Sequence, residues 1–164
     1  MSEKKLRRVI GIDCGTALIG WAVLDEITRG KISVIDYGDI RTTSNTKMSI
    51  RLKQIYDAMI TLIQKYKPTE MAIEELFFFK NAKTVMSVSE ARGVISLSGE
   101  NSNLDVFGYT PLEVKMAITG YGRAEKSQVQ KMITKVLHLK EMPKVDDVAD
   151  ALAIAFCHIN SHIK

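Results

Sequence analysis

At 164 residues, 46% of them hydrophobic, the chain is sized for a single domain, residues 1–164, with one proper core. A net charge of +4 and a pI near 9.0 suit a polyanionic partner without requiring one. No apolar run approaches the ~18 residues of a membrane helix, the charged start Met1-Ser-Glu-Lys-Lys-Leu-Arg-Arg has no apolar segment of a signal peptide behind it, and Cys14 and Cys157 lack zinc-type spacing, which argues against a disulfide framework and for a cytoplasmic protein.

Three strands come first, at about Val9–Asp13, Gly20–Leu24 and Ile32–Tyr37. Gly15-Thr and then Thr28-Arg-Gly-Lys separate them, short enough for an antiparallel meander. Leu52, Ile55, Tyr56, Met59, Ile60 and Ile63 recur at helical spacing, and Pro68 stops that helix. Glu70–Leu76 reads as a fourth strand. Past an aromatic loop, a long helix runs from Ala82 to about Ser98, ended by Gly99 and Asn101-Ser-Asn. Asp105–Tyr109 is the fifth strand, and Pro111 opens a short helix. After Gly120-Tyr-Gly, another helix shows Val129, Met132, Ile133, Val136 and Leu137 in 3.6 periodicity. Pro143 precedes the last helix, which carries Val148, Leu152, Ala155, Phe156 and Ile159 on one stripe. The order βββαβαβααα predicts an α/β fold, a five-stranded mixed sheet with helices on both faces.

Acidic residues occupy the ends of these elements. Asp13 closes the first strand, Glu74 and Glu75 fall near the end of the fourth, and Asp146, Asp147 and Asp150 open the last helix. Carboxylates at the ends of apolar strands are costly to bury uncompensated. Several of them converging repel one another unless a cation neutralises them. Oxygen-only donors suit a hard divalent cation, Mg²⁺ or Mn²⁺. On a helix Asp147 and Asp150 share a face at i, i+3, and so do Asp146 and Asp150 at i, i+4, so spacing leaves both pairs open, with one aspartate available as an N-cap. Adjacent strand residues point to opposite faces, so only one of Glu74 and Glu75 can join Asp13, and periodicity does not say which.

Other signals are weaker. Lys115, Arg123, Lys126, Lys131 and Lys135 face only Glu113 and Glu125 between Pro111 and Lys135, as a solvated helix face or a phosphate-contacting surface would. His158 and His162, at i, i+4, read as a solvated pair at a frayed terminus rather than as metal ligands. Gly11-Ile-Asp-Cys-Gly-Thr is also compatible with the phosphate-binding hairpin of sugar kinases and actin-like ATPases. Those folds need two such domains, and an ATP site would leave Asp147 and Asp150 without a role.

Five segments in order carry a more specific resemblance: Gly11–Gly15, Ala72–Ala82 (Ala-Ile-Glu-Glu-Leu-Phe-Phe-Phe-Lys-Asn-Ala), Ala91–Val94 (Ala-Arg-Gly-Val), Ala124–Val129 and Asp146–Ala155. Together the chain resembles the RuvC-type Holliday junction resolvases. The resemblance implies a ribonuclease H-like fold, a homodimer, and metal-dependent paired symmetric nicking of four-way DNA junctions in homologous recombination and DNA repair. It also implies handover from a RuvA/RuvB-type branch-migration complex. It maps the family's acidic quartet onto Asp13, Glu74, Asp147 and Asp150, leaving out Glu75 and Asp146. Two cations ~4 Å apart would activate a water for in-line attack and stabilise the leaving oxygen, and by resemblance the products carry a 5′-phosphate and a 3′-hydroxyl. Lys115 and Lys126 match positions that contact the DNA backbone. Phe77, in Leu76-Phe-Phe-Phe-Lys, matches a ring that wedges between bases, with Phe78 and Phe79 as the other candidates. Cys14 departs from a proline common in that loop and Trp21 from a frequent tyrosine, with only local effects expected.

Overall fold

The computed structural model describes residues 7–75 and 82–161. Its elements are β1 (Arg7–Asp13), β2 (Leu18–Thr28), β3 (Lys31–Arg41), α1 (Met48–Tyr66), β4 (Glu70–Glu74), α2 (Ala82–Asn101), β5 (Asp105–Tyr109), α3 (Pro111–Thr119), α4 (Lys126–Val136) and α5 (Asp146–Ser161). The order is the one expected from the sequence. β2 and β3 are longer than hydrophobicity alone suggested, 11 residues each, because the hairpin ladder continues past the buried stretch to Thr28 and Lys31. α2 runs through Gly99 to Asn101 instead of ending there. That glycine serves packing, not termination: a Cβ on it would meet Val106 Cγ2 at 2.8 Å.

The strands form one mixed sheet in the order β3-β2-β1-β4-β5. β1 pairs antiparallel with β2 and parallel with β4, and β4 pairs parallel with β5. The central strands bury both faces, which is why they read as near-continuous apolar runs. Alternation sends Val9, Ala72, Ala22 and Leu24 into a core under α3, α4 and α5, and Ile10, Ile12, Met71 and Ile73 into a second core under α1 and α2. The same alternation puts Asp13 and Glu74 on the α5 side.

α5 lies unusually close to the sheet. A Cβ on Gly11 would sit 2.4 Å from Ala151 O, and one on Gly20 would sit 1.9 Å from Asp147 O. Two glycines on the strands and Ala151 and Ala155 on the helix therefore let the α5 backbone rest directly on β1 and β2, and this contact fixes the rotation of the helix.

At the far end of the sheet, Arg7 Nη2 donates to Glu70 Oε2 at 2.7 Å. His158 is wholly buried, contacts Glu70 through Nε2 and lies 2.6 Å by Nδ1 from the Tyr109 hydroxyl. This corrects the expectation of a solvated histidine. The last turns of α5 are held by residues distant in sequence, so the helix does not fray at His158. His162 lies outside the described residues. None of the described helices is long and apolar enough to cross a membrane.

Candidate active site

Pairing between β1 and β4 ends at Ile12 and Ile73, so the next residues, Asp13 and Glu74, emerge side by side from the sheet. The first turns of α5 lie above them. One carboxylate oxygen from each of Asp13, Asp147 and Asp150 lies within 4.8 Å of the others. Glu74 stands outside that tight set and joins it electrostatically, since its charge helps push Asp13 up.

The structure places the members of both pairs apart. Glu75 is exposed and its side chain lies over β5, where a Cβ on Gly108 would meet Glu75 Oε1 at 2.7 Å. Asp146 is exposed, with the Lys126 ammonium 3.6 Å from its carboxylate. Asp147, not Asp146, shares the cluster with Asp150.

The cluster is electrostatically strained as an isolated set of acids. Burial, then the charges of Glu74, Asp150 and Asp147, push the Asp13 carboxyl up to about 8. Burial and Asp150 push Glu74 up to about 7. Asp147 and Asp150 are raised as well, each chiefly by burial. The Lys126 ammonium, 2.9 Å from Asp150, opposes the rise at all four. Lys115 opposes it at Glu74. The donor set is all carboxylate, compact and short of positive charge, which fits a hard divalent cation.

Lys126 begins α4, whose first turn is tied by reciprocal bonds between Glu125 and Gln128. It shares a cleft with Glu74, Lys115 and Asp150 over Val114 and Val129. The basic run therefore divides: Lys115 and Lys126 face the acids, whereas Lys131 and Lys135 line a separate groove with Tyr121 and Met132. The glycine hairpin after β1 is spent on its own turn, because a Cβ on Gly15 would lie 2.1 Å from Leu18 O. Phe77, Phe78 and Phe79 lie outside the described residues.

Two neighbours of the site were given no role by the sequence: Asp39, which no motif contains, and Arg92, which stands in the Ala91–Val94 segment without an assigned task. Asp39 on β3 pairs with Gly20, which pairs with Asp13, so its carboxylate stands on the α5 face and adds to the push on Asp147. Arg41 Nε holds it at 2.6 Å. Arg92 on α2 donates from Nε to the Glu74 carbonyl at 3.2 Å. The register of β2 with β3 places Asp39, and the packing of α2 gives Arg92 its partner.

The family model described as "Crossover junction endodeoxyribonuclease RuvC" matches residues 9–158. A protein of that name from Fusobacterium nucleatum is 53% identical over 154 residues, covering 94% of this chain and 80% of its own length. One from Caldicellulosiruptor saccharolyticus is also 53% identical over 154 residues, covering 94% of this chain and 93% of its own. The structure of Thermus thermophilus RuvC superposes with a TM-score of 0.87 at 29% identity, covering 95% of this chain and 96% of that one. The same protein in complex with a Holliday junction substrate gives 0.87 at 30% identity, over 93% and 92% of the two chains. The yeast mitochondrial Holliday junction resolvase Ydc2, at 14% identity and a TM-score of 0.66, shares the fold, with 93% of this chain and 79% of that one covered. The sheet order, the two helical faces and these likenesses make the fold ribonuclease H-like, and the chain belongs to the RuvC family of crossover junction endodeoxyribonucleases.

Proposed function

We propose that this chain is a metal-dependent endonuclease that resolves four-way DNA junctions by paired symmetric nicks, in homologous recombination and DNA repair. The observation that carries the reading is the convergence of Asp13, Asp147 and Asp150 beside Glu74, in a chain of the RuvC family. These four carboxylates are the ligands of two Mg²⁺ ions, for which Mn²⁺ is a plausible substitute. The cations, when bound, supply Lewis acidity for hydrolysis of one phosphodiester, leaving a 5′-phosphate and a 3′-hydroxyl.

The chain's own residues do the rest. Asp13 and Glu74 present oxygens from rigid strand ends, and Asp147 and Asp150 close the set from α5. Lys126, 2.9 Å from Asp150, balances the acids and would contact the DNA backbone beside them. Lys115 anchors the strand from the cleft wall, and Phe77 inserts at the crossover.

Two matched nicks on a two-fold junction call for a C₂ homodimer. α2 suits the interface: Met86 (75% exposed) and Leu97 (53% exposed) share a helix face with Gly93, whose Cβ position meets nothing. The protein works in the cytoplasm and receives its junction from a RuvA/RuvB-type branch-migration complex.

Incubation with a synthetic four-way junction, a linear duplex and ATP, with Mg²⁺ or with EDTA, tests the reading. Symmetric Mg²⁺-dependent nicking of the junction alone supports it. ATP turnover without nicking overturns it.

A further inference from the structure

Arg92 belongs to the Ala91-Arg-Gly-Val segment, to which the acidic site assigns no task. Its Nε donates to the main-chain carbonyl of Glu74 at 3.2 Å. The next residue, Glu75, sends its N–H to Tyr109 O at 2.8 Å on the β5 side. The Glu74 carbonyl therefore faces the other way, toward the end of β1. The β1–β4 ladder stops one residue earlier, at Ile12 and Ile73. A partly buried carbonyl beyond the last rung needs a donor, and α2 supplies one.

Arg92 thus meets the end of β4 that presents Glu74, from the face opposite α5. Among the described residues it forms no salt bridge, so its charge serves a main-chain oxygen.

We propose that Arg92 is a positioning residue, which pins the β4 end so that Glu74 stands beside Asp13, and which links α2 to the active site. The inference rests on the metal-site reading above. Arg92 touches neither substrate nor metal in this account. Its loss loosens one ligand-bearing strand end while leaving the DNA surface intact, which is what separates positioning from phosphate contact.

The test uses the full-length protein and a synthetic four-way junction. Single-turnover nicking is followed across a Mg²⁺ series for wild type, Arg92→Met, Arg92→Gln and Asp13→Asn. Junction affinity in EDTA and melting temperature are measured beside it. Arg92→Met is expected to need more Mg²⁺ for half-maximal nicking and to lose about tenfold to a hundredfold in rate at low Mg²⁺, the usual scale for residues that orient a metal ligand. Junction affinity stays at the wild-type level. Arg92→Gln, which keeps a donor without the charge, recovers part of the loss. If Arg92→Met fails to fold, the Mg²⁺ series of Arg92→Gln is decisive, and a wild-type curve overturns the proposal. Weakened junction binding with unchanged Mg²⁺ dependence also overturns it, since Arg92 would then be a phosphate contact. Asp13→Asn separates the two readings. A dead Asp13→Asn beside a wild-type Arg92→Met removes only the role of Arg92, whereas an active Asp13→Asn removes the metal site and this proposal together.

Discussion

Helices α5 and α2 cover opposite faces of one sheet and meet it by different physics. α5 is buried on nearly every side, from Val148 to Ile159, and its backbone lies on Gly11 and Gly20. Its far end is tied to Arg7, Glu70 and Tyr109 through buried His158. α2 buries Ala91, Ile95, Ser98 and Gly99 and leaves Met86 and Leu97 in solvent. One helix is fully specified by its own chain. The other has a face to spare. The difference teaches where precision is needed. A helix that delivers two carboxylates is fixed in rotation and height, because a small error would scatter the cluster. The outer face of α2 is the one proposed above to meet a second copy, while its inner face serves the sheet.

The largest expected effect lies on α5. Asp147→Asn should abolish junction cleavage with binding retained, while Asp146→Asn keeps substantial activity, as read by nicking and gel-shift assays. Equal loss from both would mean that α5 is rotated from the position its glycine contacts give it. Next comes Gly20→Ala. Its Cβ would lie 1.9 Å from Asp147 O, so α5 must lift at the end that carries the site. A stability loss of about 1–3 kcal/mol is expected from such overpacking, together with a fall in cleavage beyond what unfolding explains. Denaturant melts beside single-turnover rates separate the two.

On α2 the expectation is reversed. Leu97→Glu should convert the dimer to monomer in sedimentation while shifting protomer stability within about 0.5 kcal/mol, as a surface substitution does. Paired nicking should fall into unpaired, slower nicking. A large melting shift would place Leu97 in a core and end the contrast between the helices.

The smallest effect is thermodynamic. In the metal-free protein Asp13 is pushed up to about 8 and Glu74 to about 7, from ordinary values of 3.8 and 4.5. Between those limits the folded state holds more protons than the unfolded chain. Stability therefore falls as pH rises from about 4 to about 8. A bound divalent cation relieves the repulsion, so added Mg²⁺ should raise the melting temperature more near pH 8 than near pH 6. An equal gain at both would show that these carboxyls do not meet the ion.

Much of this was legible in the chain. Alternation along β1 and β4 placed Asp13 and one glutamate at the same sheet end, and helical periodicity placed an aspartate pair above them. The choices between Glu74 and Glu75, and between Asp146 and Asp147, were closed to spacing. β4 is buried on both faces, and either aspartate shares a helix face with Asp150. What resolves the second choice is the rotation of α5, set by two glycines some 130 residues upstream in strands that read only as apolar. His158 was misread for a similar reason: its partners Arg7 and Glu70 lie 151 and 88 residues away. The resemblance supplied residue choices that local pattern could not; in the structure Asp147 lies with Asp13 and Asp150, and Glu75 lies against Gly108.

The most direct measurement is cleavage of a supercoiled plasmid carrying an extruded cruciform, by wild type and by Asp13→Asn, each with Mg²⁺ and with EDTA. Linear product is expected from the wild type with Mg²⁺, because two sites nick one junction within a single encounter, and a bound but uncut cruciform from Asp13→Asn. Linear product from Asp13→Asn, or from the wild type in EDTA, would contradict that expectation.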